Sequence, residues 1–78
     1  MNTLIDTPKK AHHDEGQIVI EMNSGEVIHF PVSDSPRLKG GSHLQLSDIE
    51  ISPFGLHWPQ LDEDLSLRGL LQRHHGQK

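Results

Sequence analysis

Two stretches near the start of the chain place apolar residues at every second position. In Gln17 to Met22 (QIVIEM), Ile18, Ile20 and Met22 fall on one side and Gln17, Val19 and Glu21 on the other, which is the period of a half-buried strand. Glu26 to Val32 repeats the alternation with Ile28, Phe30 and Val32 inward. Asn23-Ser24-Gly25 lies between them and tolerates positive φ, so the two strands read as a hairpin.

The pattern then breaks. Ser33-Asp34-Ser35-Pro36 and Gly40-Gly41 mark loops on either side of Arg37-Leu38-Lys39. Ser42 followed by Gln45 fits a capping box, in which hydroxyl and amide side chains satisfy each other's backbone N–H groups. A helical turn over 43–47, burying Leu44 and Leu46, is expected. Ile49 and Ile51 are two apart, Ser52-Pro53-Phe54-Gly55 has the form of a type I turn, and Leu56 and Trp58 continue inward on a fourth strand that Pro59 ends. Leu67, Leu70 and Leu71 then recur at helical spacing behind Asp64 and Ser66 as candidate caps. Gly69 inside that helix costs about 1 kcal/mol against alanine and predicts a close approach to the sheet.

Residues 1–16 show no such pattern. Met1, Leu4 and Ile5 are their large apolar side chains, and they end in His12-His13-Asp14-Glu15-Gly16. So little apolar surface does not offset the entropy of ordering, and a disordered N-terminal tail over 1–16 is expected, followed by one domain over 17–78 with a frayed end. The predicted class is α+β: a small antiparallel four-stranded sheet built from two hairpins, a short helical turn between them, and one C-terminal helix packed on one face. A folded part of about 60 residues buries only about 60% of its unfolded surface, so each core side chain carries weight. Trp58 is the largest of these and is expected under the terminal helix, with His57 facing water on the other side by alternation.

Composition narrows the function classes. The chain has 78 residues, no cysteine, 32% apolar residues and a formal charge of −4. One small domain fits that length, and large enzymes do not. The absence of cysteine removes disulfides, thiolate zinc sites and cysteine nucleophiles, and agrees with a reducing compartment. No apolar run approaches the roughly 20 residues of a membrane span, and Met1 to Lys10 lacks the order of a signal peptide, so a soluble cytoplasmic protein is expected. The charge is unevenly spread. Asp48, Glu50, Asp62, Glu63 and Asp64 lie in 48–64 with no basic residue, whereas Arg68, Arg73 and Lys78 follow them. Phosphate backbones are bound by clustered Lys and Arg, and seven scattered basic residues offer no such footprint. Direct nucleic-acid binding is therefore not expected.

Three constellations carry candidate chemistry. Asp62-Glu63-Asp64 offers carboxylate oxygens to a hard cation, with His57 as a nearby base; the competing reading is capping of the following helix, which needs no ion. Seven histidines invite a transition metal, yet His12-His13 and His74-His75 are adjacent pairs whose rings diverge, and no i, i+4 pair stands on a helix. The third is the sheet's second face. Val19, Val27, His29 and His57 would line it, and one helix leaves that face and two edges uncovered. No pattern calls for a cofactor or a catalytic triad.

The stretch Gly55-Leu56-His57-Trp58-Pro59-Gln60-Leu61-Asp62-Glu63-Asp64-Leu65-Ser66-Leu67-Arg68-Gly69-Leu70-Leu71 resembles the C-terminal signature of a bacterial family, domain of unknown function 2442. Gly25, Phe30-Pro31 and Pro36-Arg37-Leu38 agree more loosely, so the resemblance covers about residues 17 to 71. It implies a small α+β domain with an antiparallel sheet and no established activity. Some longer relatives carry a helix-turn-helix, which this chain lacks, so a DNA-binding role would need a partner. Others are encoded beside a second small domain, domain of unknown function 4160, in what resembles a toxin-antitoxin arrangement. Three readings result: a non-enzymatic protein–protein interaction module that meets another protein or its own copy, an antitoxin-like or regulatory partner of a co-encoded small protein, and a metal-binding protein or metal-dependent hydrolase using Asp62, Glu63, Asp64 and His57.

Overall fold

The structure, a computed structural model, describes residues 6–70. Among these residues six strands form two three-stranded antiparallel sheets, where one four-stranded sheet was expected. The first sheet has the order β1 (Pro8–Asp14), β2 (Gln17–Met22), β3 (Val27–Pro31), and the second β4 (Glu50–Ser52), β5 (Gly55–Trp58), β6 (Glu63–Ser66). A 3₁₀ turn (Val32–Asp34) and two short helices, α1 (Pro36–Lys39) and α2 (His43–Ser47), connect the sheets. No helix among the described residues is long and apolar enough to cross a membrane.

The alternating residues meet in one core. Ile18, Ile20 and Met22 of β2 and Ile28 and Phe30 of β3 are buried against Val32, Leu38, Leu46, Leu56, Trp58, Leu67 and Leu70. Each sheet thus turns one face inward and the other outward, as the period of two requires. The indole of Trp58 is fully buried, and its Nε1 donates to the Leu46 carbonyl at 2.9 Å, tying β5 to α2. That bond satisfies the one polar atom of a side chain that otherwise needs only apolar surroundings.

Local chemistry explains the short elements. Ser42 and Gln45 form the expected capping box at α2, with Gln45 N donating to Ser42 Oγ (3.2 Å) and Ser42 N donating to Gln45 Oε1 (3.0 Å). Leu46 turns inward from that helix, but Leu44 does not: it is 79% exposed. Five residues make little more than one turn, so only one of the two leucines can face the core.

Two strands lie where none was expected. Pro8–Asp14, assigned to a disordered tail, pairs with β2 through a two-residue turn in which Glu15 and Gly16 both have positive φ (48° and 81°). Its backbone hydrogen bonds, with buried Pro8 and half-buried Ala11, anchor a segment whose side chains alone could not. Thr7 and Asp6 extend the attachment, through bonds to Asn23 and Ser24 in the next turn. Met1, Leu4 and Ile5 lie outside the described residues. Glu63–Ser66, read as a helix-capping stretch, is β6, paired with β5 over Trp58↔Glu63 to Gly55↔Ser66.

Of the expected terminal helix the described residues include 67–70, which are helical, with Leu67 and Leu70 buried. Ser66 is its cap, accepting from Gly69 N at 3.0 Å, whereas Asp64 stays within the strand. The crowding at Gly69 comes from that same hydroxyl, 3.0 Å from where a Cβ would stand, on the last residue of β6. Leu71 and the expected frayed end lie outside the described residues.

Candidate interaction surface

The outer face of the first sheet is built in rows by the register: Lys10–Glu21–Val27, His12–Val19–His29 and Asp14–Gln17–Pro31. Val19 and Val27 are diagonal neighbours there, and His29 Nδ1 is bonded to Gln17 Oε1 at 3.1 Å. Val27 is 41% exposed. The bond from Met22 N to Glu26 O sets the phase of the ladder, so even-numbered residues of β2 bond to β3 and odd-numbered ones to β1. In β3, Val27 and His29 therefore direct their N–H and C=O groups to the edge away from β2, and among the described residues β3 pairs with no other strand.

His57 does not join this surface. It lies on the outer face of the other sheet, in the row Glu50–His57–Asp64. The surface predicted as Val19, Val27, His29 and His57 is thus divided between two sheets, because β1 and β6 complete separate sheets where a single four-stranded one was expected. His57 Nδ1 is 2.6 Å from Asp64 Oδ1. That hydrogen bond is the main cause of a His57 pKa above the ordinary imidazole value; the charges of Asp64, Glu50 and Asp62 add to it and partial desolvation opposes it.

The three adjacent carboxylates point to three different partners. Asp62, held at φ 52°, is 3.6 Å from Arg37; Glu63 Oε2 accepts from the buried Ser35 Oγ at 2.7 Å; Asp64 takes His57. Consecutive strand residues face opposite sides, so Glu63 turns inward while its neighbours turn out. Among the described residues no three His, Asp or Glu side chains are arranged to share a metal ion. His12 and His13 stand on β1, and His74 and His75 lie outside the described residues.

A groove of about 250 Å³ on the second sheet is lined by Ser52, Phe54, Gly55, His57, Asp64 and Ser66, among others. Ser, His and Asp meet here without forming a nucleophilic relay. Ser52 Oγ donates to Gly55 O and accepts from Phe54 N, Ser66 Oγ accepts from Gly69 N, and neither is hydrogen bonded to His57. Phe54, at the tip of the β4–β5 hairpin, is 82% exposed. It stands in the two-residue connection between Ser52 and Gly55, where a side chain has no core to face. A second contact invisible to local pattern joins His13 of β1 to His43 of α2, Nδ1 to Nδ1 at 2.8 Å.

Comparison with known proteins gives a family and no activity. No curated protein matches the chain. A protein of unknown function from Rhodospirillum rubrum, known from a crystal structure, is 34% identical with a TM-score of 0.81, over 96% of this chain and 95% of that one. An uncharacterised protein from Chromobacterium violaceum, solved by NMR in solution, is 31% identical with a TM-score of 0.76, over 91% of this chain and 69% of that one. The model of the family described as "Protein of unknown function (DUF2442)" matches residues 8–76, a span that takes in β1, and the chain belongs to that family.

Proposed function

We propose that the chain is a non-enzymatic protein–protein interaction module whose partner, another protein or a second copy, docks on the outer face of the first sheet at its β3 edge. The observation that carries this reading is the coincidence, in one strand, of exposed Val27 and His29 with backbone groups directed to an open edge. An added strand satisfies such groups, and the adjoining side chains select what adds. A protein partner also suits the net charge of −4, which favours neither a phosphate backbone nor an anionic membrane. An antitoxin-like or regulatory role beside a co-encoded small protein is one form of this reading, and a cysteine-free chain agrees with a cytoplasmic setting.

Sedimentation at tens of micromolar, together with affinity capture from native cells, tests it. Wild type is expected to self-associate or to retain a partner, Val27→Lys to lose that association with an unchanged melt, and His57→Gln, on the other sheet, to keep it. A monomeric wild type that captures nothing, or a complex indifferent to Val27→Lys, removes the reading.

A further inference from the structure

We propose that His13 and His43 form a pH-sensitive latch, which fastens β1 to α2 while both imidazoles are uncharged and releases it when they take up protons. The nitrogens fix the argument. Gly16 N–H donates to His13 Nε2 (3.3 Å), so that nitrogen keeps its lone pair and the ring's proton sits on Nδ1. His13 Nδ1 then donates to His43 Nδ1 across 2.8 Å, which requires a lone pair there and leaves the His43 proton on Nε2. Each of the two rings is thus held as one neutral tautomer. A proton on His13 Nε2 removes the acceptor for Gly16, and a proton on His43 Nδ1 removes the acceptor for His13. With both rings charged, two cations face each other with ring centroids 5.0 Å apart and repel.

The latch sits where it can act. β1 is held on one side by the ladder to β2, and its first residues are tied through Thr7 and Asp6 to Asn23 and Ser24. At the other end of the strand the imidazole pair is its side-chain bond to α2, joining residues 30 apart in sequence. The charged and titratable groups on the elements that meet at the pair are Lys9, Lys10, His12 and Asp14 of β1, Glu15 in the following turn, Glu21 of β2, Asp48 after α2 and Glu50 of β4. Lys10, His12 and Asp14 alternate onto the opposite face of β1, and none of these groups is hydrogen bonded or ion-paired to either ring. Among the described residues neither ring of the pair is hydrogen bonded to a carboxylate, in contrast to His57, which is bonded to Asp64.

Nitrogen-15 NMR of the histidine rings and amide hydrogen exchange on the full chain test the latch. At pH 8 the ring spectra are expected to show the Nδ1–H tautomer for His13 and the Nε2–H tautomer for His43. Between pH 8 and pH 5 the protection of the His12 amide, which bonds to β2, should fall about fivefold or more relative to Ile28 in β3, the scale of losing one hydrogen bond. His43→Gln and His13→Gln, both at surface positions, should flatten that dependence. The opposite tautomers at pH 8, or an unchanged pH dependence in both variants, overturns the proposal.

Discussion

Replacing Gly55 by alanine tests how closely β5 and β6 are packed. The φ of Gly55 is +155°, and a Cβ built there would meet the Leu65 carbonyl oxygen well inside contact distance, with Leu67 N and Ser66 Cα each 3.0 Å away. All three are backbone atoms of the segment that pairs with β5, so no side chain can swing aside to make room. The disfavoured φ costs roughly 1–3 kcal/mol, and forcing the neighbouring backbone outward costs roughly another 1–3 kcal/mol. A domain of this size holds on the order of 4–12 kcal/mol in all. Gly25→Ala separates the two costs. Gly25 also has a positive φ (+100°), but nothing lies within 4 Å of its would-be Cβ, so only the conformational part is felt there. Gly40→Ala, with ordinary φ and open space, should be close to neutral. Urea unfolding followed by circular dichroism reads the series. With a slope near 1 kcal/mol/M, the Gly55→Ala midpoint should fall about 2 M or more below wild type, and clearly below Gly25→Ala. Equal midpoints for Gly55→Ala and Gly25→Ala would refute the close approach.

The His57–Asp64 pair predicts a sign in the pH dependence. Its folded pKa is raised, so the stability it contributes is fully present below about 6.5, the unfolded imidazole value, and is lost as pH rises through the folded value; the Tm advantage of wild type over Asp64→Asn, measured from pH 5.5 to 8, should therefore shrink as pH rises. Deleting residues 1–14 removes β1 and the bonds of Thr7 and Asp6, and should lower Tm by several degrees; an unchanged cooperative melt would restore the view of this segment as a tail. Trp58→Phe leaves the Leu46 carbonyl without its partner and should cost about 1–3 kcal/mol in denaturant unfolding, with the fold retained.

What the sequence made legible was the part of the fold in which side chains alone decide. β2, β3 and β5 alternate strongly, and their inward residues are the buried ones. The capping box at Ser42 is a local exchange between residues three apart, and it forms as read. β1 was illegible for a physical reason. PKKAHHD offers only Pro8 and Ala11 to the core, and its order comes from backbone bonds to a partner strand, which leave no mark on composition. β6 was hidden differently. Leu61, Glu63, Leu65 and Leu67 do recur at every second position, but an acidic run before leucines at helical spacing is also how a capped helix begins. Glu63 decides the matter by turning inward to Ser35, and no helix cap would do so.

The candidate surface follows the same division, and the two histidine contacts show where it falls. Alternation alone put His29 and His57 on outward faces, and both are there. It could not say that the faces belong to different sheets, because that depends on which strands flank each hairpin, and the flanking strands were the two not read. His57 then meets Asp64 only seven residues on, through a hairpin register that follows once β6 is recognised. His13 meets His43 across 30 residues, through the packing of α2 against β1, and no spacing rule anticipates it. These contacts also respond oppositely to protons: the carboxylate holds a charged His57, while the imidazole pair needs a lone pair on His43 Nδ1. Acidification therefore strengthens the second sheet's outer row while loosening the edge of the first. Stability of the wild type followed globally blends the two; the difference from Asp64→Asn isolates the His57 contact, and residue-level exchange isolates the imidazole pair.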